Sequence, residues 1–474
     1  MLLAAVLAGG LTLPADLDRI LAAPTLHGAH VGVLVETTAG QQLYAHGADA
    51  TIQPASTMKL LVGSVALERL GPSYRFATVL THGDGDALTL YGGGDPLLRR
   101  ADLDGAAGAV AQAGIVRAQL TLDESHVAPD ERRAPGWEVD DVLQYYAPVV
   151  NGLPFEENVL PLTLLPGTAI GQAPLLQLPP PFVPLDTARV PCRPGPTLLT
   201  FTNTAQTVAA GRADTSDVAP GPCGDVVITG NVPLGGPSHV DAAVDQPEAL
   251  ALQYFADALQ RRGVTVEPPP PSAAAGPIPG VVDVPFTPAP STAIVWRHDG
   301  DPLSAVLADM WLPSDNLIAE ELLREIDVAA NAHAGSLAGG TALERTWLRG
   351  IGVDPATVTL ADGSGLSQYD RVTPRVLVAI LAHDWNGPNR QTVLDALPVA
   401  GVRGDLRNAM RGTPAQGHVF AKTGSMSHVR GLAGYVVTRT QGTLIYALSI
   451  DDWMGTDADL AALRAAFCSR LAGL

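Results

Sequence analysis

Lysine is nearly absent from this 474-residue chain: of its 29 basic residues only Lys59 and Lys422 are lysine, the rest being arginine. Clusters of basic residues are absent too, and the formal net charge is −19. Phosphate backbones and anionic membrane surfaces would be repelled, which excludes nucleic acid and polybasic membrane attachment. Beyond the N-terminus there is no apolar run of about eighteen residues or more, so no transmembrane helix is expected. Cysteine is limited to Cys192, Cys223 and Cys468, and neither C-x-x-C nor H-E-x-x-H occurs, which leaves a metal site without support. Cys192 and Cys223 flank a Pro-rich stretch at a separation that permits a disulfide in an exported protein. Cys468 falls in an apolar C-terminal helix and reads as a buried, inert thiol.

What is present points to a folded protein of two or three domains. The composition is 46% hydrophobic and 16% charged, with 40 prolines and 49 glycines implying many turns. The N-terminal "MLLAAVLAGGLTLPA" is similar to the later part of a secretory signal that lacks a basic start, and a buried N-terminal helix is the equal alternative. "PADLDRILAAP" reads as a short helix, and "HVGVLVETTAGQQLYAHGAD" as two strands joined at Ala39-Gly40. In "QPASTMKLLVGSVALERLGP" the residues Leu61, Val62, Val65, Ala66 and Leu70 recur at helical spacing, with Gly71 and Pro72 as the stop.

Ser56 stands where hydroxyl residues commonly cap a helix. It also stands three residues before Lys59, on the same helical face. A serine hydroxyl becomes a nucleophile when a neighbouring base takes its proton. Lysine serves when burial and nearby positive charge lower its pKa, whereas arginine stays protonated, which accounts for the survival of Lys59. The second lysine begins Lys422-Thr423-Gly424 in the alternating, strand-like "HVFAKTGSMSHVRGLAGYVVT". Between the two lies Ser314-Asp315-Asn316, in a loop leading into the helix "DNLIAEELL".

The ordered set S-x-x-K, S-x-N and K-T-G resembles that of the penicillin-binding proteins and serine β-lactamases. The resemblance implies Ser56 as acylated nucleophile, Lys59 as its base and Ser314 as proton relay. It implies Asn316 on the substrate amide and Lys422 as positive charge near Ser314 and a substrate carboxylate. Thr423, Gly424 and Ser425 would form the substrate strand, with the backbone N–H groups of Ser56 and Ser425 as oxyanion hole. Taken singly, Ser314 could be a helix cap and Thr423 an ordinary strand threonine; Asp315 is read as structural. His418 and His428 read as solvated or packing residues, and a substrate carboxylate on Arg430 is a minor alternative.

Ser56 and Ser314 are 258 residues apart, and the stretch between holds strand-rich segments punctuated by Gly and Pro. Two helical patterns near its end, "PEALALQYFADALQRRGVTV" and "DPLSAVLADM", lead back towards the core. With "GGGDPLL", "YAPVVNGLPFEENVLPLTLLPG" and "LADGSGLSQYDRVTP", the chain is similar over nearly its whole length to the class C low-molecular-mass penicillin-binding proteins, D-Ala-D-Ala carboxypeptidases and endopeptidases. His428 and Arg430 depart from the small residues usual after K-T-G.

That resemblance implies an α+β fold. Its penicillin-binding, serine β-lactamase-like catalytic domain, an antiparallel five-stranded sheet between helices, is interrupted by two nested, mainly β inserted domains. The boundaries are set at 1–75 and 288–474 for the catalytic domain, 76–166 and 241–287 for insert II, and 167–240 for insert III. It further implies a serine D-Ala-D-Ala carboxypeptidase or endopeptidase acting on peptidoglycan stem peptides and cross-links outside the cytoplasm. No cofactor is implied, β-lactams acylate the same serine, and no glutamate can be assigned to deacylation. The same motifs serve a serine β-lactamase or esterase, and an inactive peptidoglycan-binding scaffold is the alternative from another class.

Overall fold

The computed structural model describes residues 12–129, 132–182, 185–186, 200–221, 226–267 and 293–474. The expected Cys192–Cys223 pairing, the first eleven residues and the boundary at 287/288 lie outside them.

One antiparallel sheet is built from both ends of the chain, in the order Val419–Met426, Val429–Val437, Thr443–Asp451, His30–Thr37, Gln42–His46. The three C-terminal strands are joined by short turns, and His30–Thr37 is inserted between Thr443–Asp451 and its own hairpin partner. Val429–Val437 and Thr443–Asp451 are buried almost throughout, because helices cover both faces and no polar alternation is needed. On one face lie Leu13–Leu21 and Asp457–Ala472, tied by Arg470 Nε to Asp16 Oδ2 at 2.7 Å. On the other lie Lys59–Leu70, Leu303–Trp311, Asn316–Asn331 and Pro374–Asn386. Lys59–Leu70 is buried from Lys59 to Leu67 and ends at Gly71, whose φ of 83° suits glycine. Trp311 Nε1 donates to the Lys59 carbonyl at 3.0 Å, locking two of these helices together where Lys59–Leu70 begins.

The segment between has its own core. A mixed sheet in the order Thr265–Glu267, Arg117–Asp123, Ala87–Tyr91, Ala77–His82, Ala293–Asp299 packs against the helices Arg100–Gln112 and Pro247–Gln260. Smaller sheets follow, including Val159–Leu165 between Ser238–Ala243 and Leu175–Gln177. The register pairs Ala77 with Asp299, and Gly300 N donates to Phe76 O at 2.9 Å, so the strand entering the inserted region lies beside the strand leaving it. Ala293–Asp299 thus pairs into the sheet of this intervening segment, just before Leu303–Trp311 begins.

Candidate active site

Ser56 lies in a 3-10 turn, Ala55–Met58, that runs without a break into Lys59–Leu70. No side chain caps that helix; the Ser56 hydroxyl instead accepts a hydrogen bond from Lys59 Nζ at 2.8 Å. The turn sits against the sheet where Gly424 and Gly431 face each other across two strands. A Cβ on Gly424 would lie 2.7 Å from Pro54 O, and one on Gly431 3.0 Å from Thr57 Cγ2. The glycine of Lys422-Thr423-Gly424 is therefore required to bring the edge strand within reach of the serine.

Lys59 is fully buried, and its ammonium nitrogen meets three oxygens: Ser56 Oγ at 2.8 Å, Asn316 Oδ1 at 2.5 Å and the Ser364 carbonyl at 2.9 Å. Burial lowers its pKa to about 8, against the opposing pull of Asp362, Asp315, Glu320 and Asp405. Desolvation is thus the cause of the lowering, where the sequence reading also called on nearby positive charge.

Lys422 is equally buried and donates to Ser314 Oγ at 2.8 Å and to the Thr423 carbonyl at 3.0 Å. Its pKa falls to about 7 through burial and the neighbouring charge of Lys59, with Asp405 pulling upward. Ser314 has φ 70°, in the left-handed region, which turns its hydroxyl out of the helix start. The helix cap is Asp315, whose carboxylate accepts from Ile318 N at 2.9 Å, so Ser314 is left to Lys422. Thr423 Oγ1 donates to Asp405 Oδ2 at 2.8 Å. Ser425 is exposed on the edge strand beside a cavity of about 380 Å³ that Arg430, Arg464 and Asn408 also line.

Ser56, Lys59, Ser314, Asn316, Lys422, Thr423, Gly424 and Ser425 are therefore brought together around one end of the edge strand. His418 and His428 stand apart: His418 is exposed, and the His428 ring contacts the Trp453 carbonyl at 3.0 Å. The Arg430 guanidinium donates to the carbonyls of Met426 and Val429. Cys468 is buried against Tyr446, and burial pushes its thiol up to about 12.

Sequence reasoning missed Tyr146, Ser364 and Asp405. Asn316 Nδ2 donates to the Tyr146 carbonyl at 2.5 Å, so the inserted region reaches the site. The same region holds the loop at residues 361–368, through Trp137 Nε1 to Asp362 Oδ2 at 2.9 Å and Ser367 Oγ to Pro135 O at 2.6 Å. The contribution of "ADGSGLS" is a backbone carbonyl, that of Ser364, which no residue type announces.

An antiparallel sheet between helices, with a serine turn and two buried lysines meeting at its edge, defines the class of penicillin-recognising acyl-serine enzymes. Within that class, residues 13–472 match the D-Ala-D-Ala carboxypeptidase 3 (S13) family, and the chain belongs to it. It is 34% identical over 445 residues to the D-alanyl-D-alanine carboxypeptidase of Actinomadura sp. (strain R39), covering 89% of this chain and 78% of that one. Its fold is similar to that of penicillin binding protein 4 from Haemophilus influenzae, with a TM-score of 0.80, 21% identity, and 96% and 99% of the two chains covered. The same protein complexed with a β-lactam gives a TM-score of 0.75 at 21% identity, covering 97% and 100%. The chain is a serine-type D-alanyl-D-alanine carboxypeptidase by family. No helix among the described residues is long and apolar enough to cross a membrane.

Proposed function

We propose that Ser56 is the nucleophile of this carboxypeptidase and that Lys59 is its base. The supporting observation is the placement of Lys59 Nζ against Ser56 Oγ in a buried site that lowers the lysine pKa to about 8. Lys59 takes the hydroxyl proton as Oγ bonds to the carbonyl carbon of the penultimate D-alanine in a peptidoglycan stem peptide. The backbone N–H groups of Ser56 and Ser425 receive the oxyanion. The proton taken by Lys59 is relayed through Ser314, held by Lys422, to the leaving nitrogen as the C–N bond breaks, which leaves Lys59 neutral and Ser314 a hydroxyl again. Water then cleaves the ester, returning the serine and releasing the shortened peptide. Asn316 orients the lysine and the substrate amide, and Thr423, Gly424 and Ser425 align the peptide along the edge strand. The amine of a cross-link can leave in place of D-alanine, which makes the endopeptidase reaction the same chemistry.

β-Lactams acylate Ser56 in this reading, in keeping with the β-lactam complex of the Haemophilus influenzae protein. A peptidoglycan substrate lies outside the cytoplasmic membrane, which supports an extracytoplasmic location for the enzyme. We assign catalysis to the chain up to about residue 76 and from about residue 300 onward, with nested inserts between. A fluorescent penicillin, with Ser56→Ala as control, tests the assignment: stable label on the native protein and none on the variant is expected. Label on Ser56→Ala overturns the nucleophile, rapid loss of label indicates a β-lactamase, and no label at all indicates an inactive scaffold.

A further inference from the structure

A neutral lysine amine has two N–H donors and one lone pair, yet Lys59 Nζ touches three oxygens. Two of the three accept only. The Ser364 carbonyl has no proton to give, and the Asn316 amide oxygen is held towards Lys59 because its nitrogen donates to the Tyr146 carbonyl. Once both N–H groups are engaged there, the remaining tetrahedral direction, the lone pair, faces Ser56 Oγ. The base is aimed by its two acceptors.

What aims the Ser364 carbonyl is a pair of buried carboxylates. The peptide linking Ser364 to Gly365 is planar, with C=O and N–H on opposite sides. Its N–H donates to Asp362 Oδ1 at 2.6 Å while its C=O accepts from Lys59 at 2.9 Å. The two preceding N–H groups, of Gly363 and Ser364, both donate to Glu320 Oε1 at 2.9 Å. Glu320 lies one helical turn beyond Asn316 on the same face, and its second oxygen is paired with Arg324. Asp362 is fixed in turn by Trp137 Nε1 and Ser367 N.

We propose that Asp362 and Glu320 act as positioning residues, clamping the Gly363–Gly365 backbone so that the Ser364 carbonyl directs the Lys59 lone pair at Ser56. The inference rests on the proposed function, since it presupposes that Lys59 is the base. The charged groups acting on Lys59 are Asp362, Asp315, Glu320 and Asp405, with Lys422 opposite; those around Glu320 are Arg324, Asp362, Glu344, Glu321 and Asp370, and Asp362 also faces Glu344 and Asp370, the latter through a side-chain hydrogen bond. Neutralising either carboxylate, or letting the carbonyl drift, removes support from the ammonium, so the Lys59 pKa falls while its aim worsens.

The test is the pH profile of the second-order rate of acylation by fluorescent penicillin, counted per labelled site so that unfolded protein drops out. For Asp362→Asn we expect the acid limb to move to lower pH by about half a unit or more, with the high-pH plateau falling about 10-fold or more. Glu320→Gln, combined with Arg324→Met so that no buried guanidinium is stranded, is the second variant and carries the same signature. A plateau that falls with the limb unmoved in both variants marks a merely structural role and overturns the proposal, as does an unchanged profile. Labelling of Ser56→Ala would instead overturn the underlying assignment, leaving the two failures distinguishable.

Discussion

Asn316 Nδ2 donates to the backbone carbonyl of Tyr146 at 2.5 Å, so a residue of the inserted region decides which end of the Asn316 amide meets Lys59. A carbonyl accepts only, and the amide oxygen is left facing the lysine. Asn316→Asp sets a carboxylate oxygen against that carbonyl and adds negative charge beside Lys59. Acylation by penicillin is expected to slow about 100-fold, with its acid limb moving to higher pH. An unmoved limb in a stopped-flow pH series would show that the charge does not reach the base.

Lys59→Arg keeps a buried positive charge but removes the possibility of deprotonation. Acylation should fall by about 1,000-fold or more while thermal unfolding stays cooperative. Lys422→Arg retains the charge beside Ser314 without the compact geometry of an ammonium, and a loss of about 10- to 100-fold is expected. Equal losses in the two variants, read from kcat/KM on a D-Ala-D-Ala peptide, would contradict the separate roles.

The base works when neutral, and its pKa of about 8 sets the sign of the pH dependence. Below that value the ammonium dominates, so kcat/KM should fall about tenfold per pH unit through the acid limb. Because burial, and then the charge of Lys59, lowers the Lys422 pKa to about 7, the observed limb belongs to the pair. A profile flat from pH 6 to 9 would remove Lys59 from the role of base.

Gly424→Ala drives a Cβ to 2.7 Å from Pro54 O, a backbone atom that has no rotamer to yield. Gly431→Ala meets Thr57 Cγ2 at 3.0 Å, a methyl that can give slightly. Both should destabilise, Gly424→Ala by about 1–3 kcal/mol and Gly431→Ala by less, and Gly424→Ala should lose more acylation. Urea denaturation of the two variants checks the order.

Away from the site, Ser64 Oγ lies 2.7 Å from both the Leu60 carbonyl and Asp384 Oδ2, yet a hydroxyl has one proton. Whichever of the two oxygens takes that proton, burial, with the charge of Glu68, raises the Asp384 pKa to about 7 against the lowering effect of the Ser64 hydrogen bond. The folded state therefore holds a proton that the unfolded chain releases near pH 4, and this contribution to stability is lost as pH rises through about 7. Asp384→Asn keeps a donor there at every pH. It should stabilise by on the order of 2 kcal/mol at pH 8 and little at pH 5, as measured by Tm.

The five-stranded sheet and the serine helix were legible because each carries a local signal, alternation in "TLIYALSI" and helical spacing after Lys59, whereas the eight candidate site residues were singled out by two isolated lysines and the resemblance of the motifs around them, and the structure brings those eight together. Asp405, Tyr146 and Ser364 were not legible. Asp405 lies 18 residues before Thr423, on a 3-10 turn that precedes the edge strand, and the other two contribute backbone oxygens. The inserted region was visible as Gly- and Pro-punctuated strands, but the parallel pairing of Arg117–Asp123 with Thr265–Glu267 joins segments too distant in sequence for periodicity to connect.

The pairing of Ala77 with Asp299 bears on how such a chain reaches its native state. Strands from opposite termini must meet in one sheet, which by itself implies a slow search over several hundred residues. When the intervening region folds first, its two ends are already neighbours, and the remaining search is that of a much shorter polypeptide. The interruption that lengthens the gene thus shortens the effective loop, and replacing it with a flexible linker of the same number of residues should slow refolding of the outer sheet.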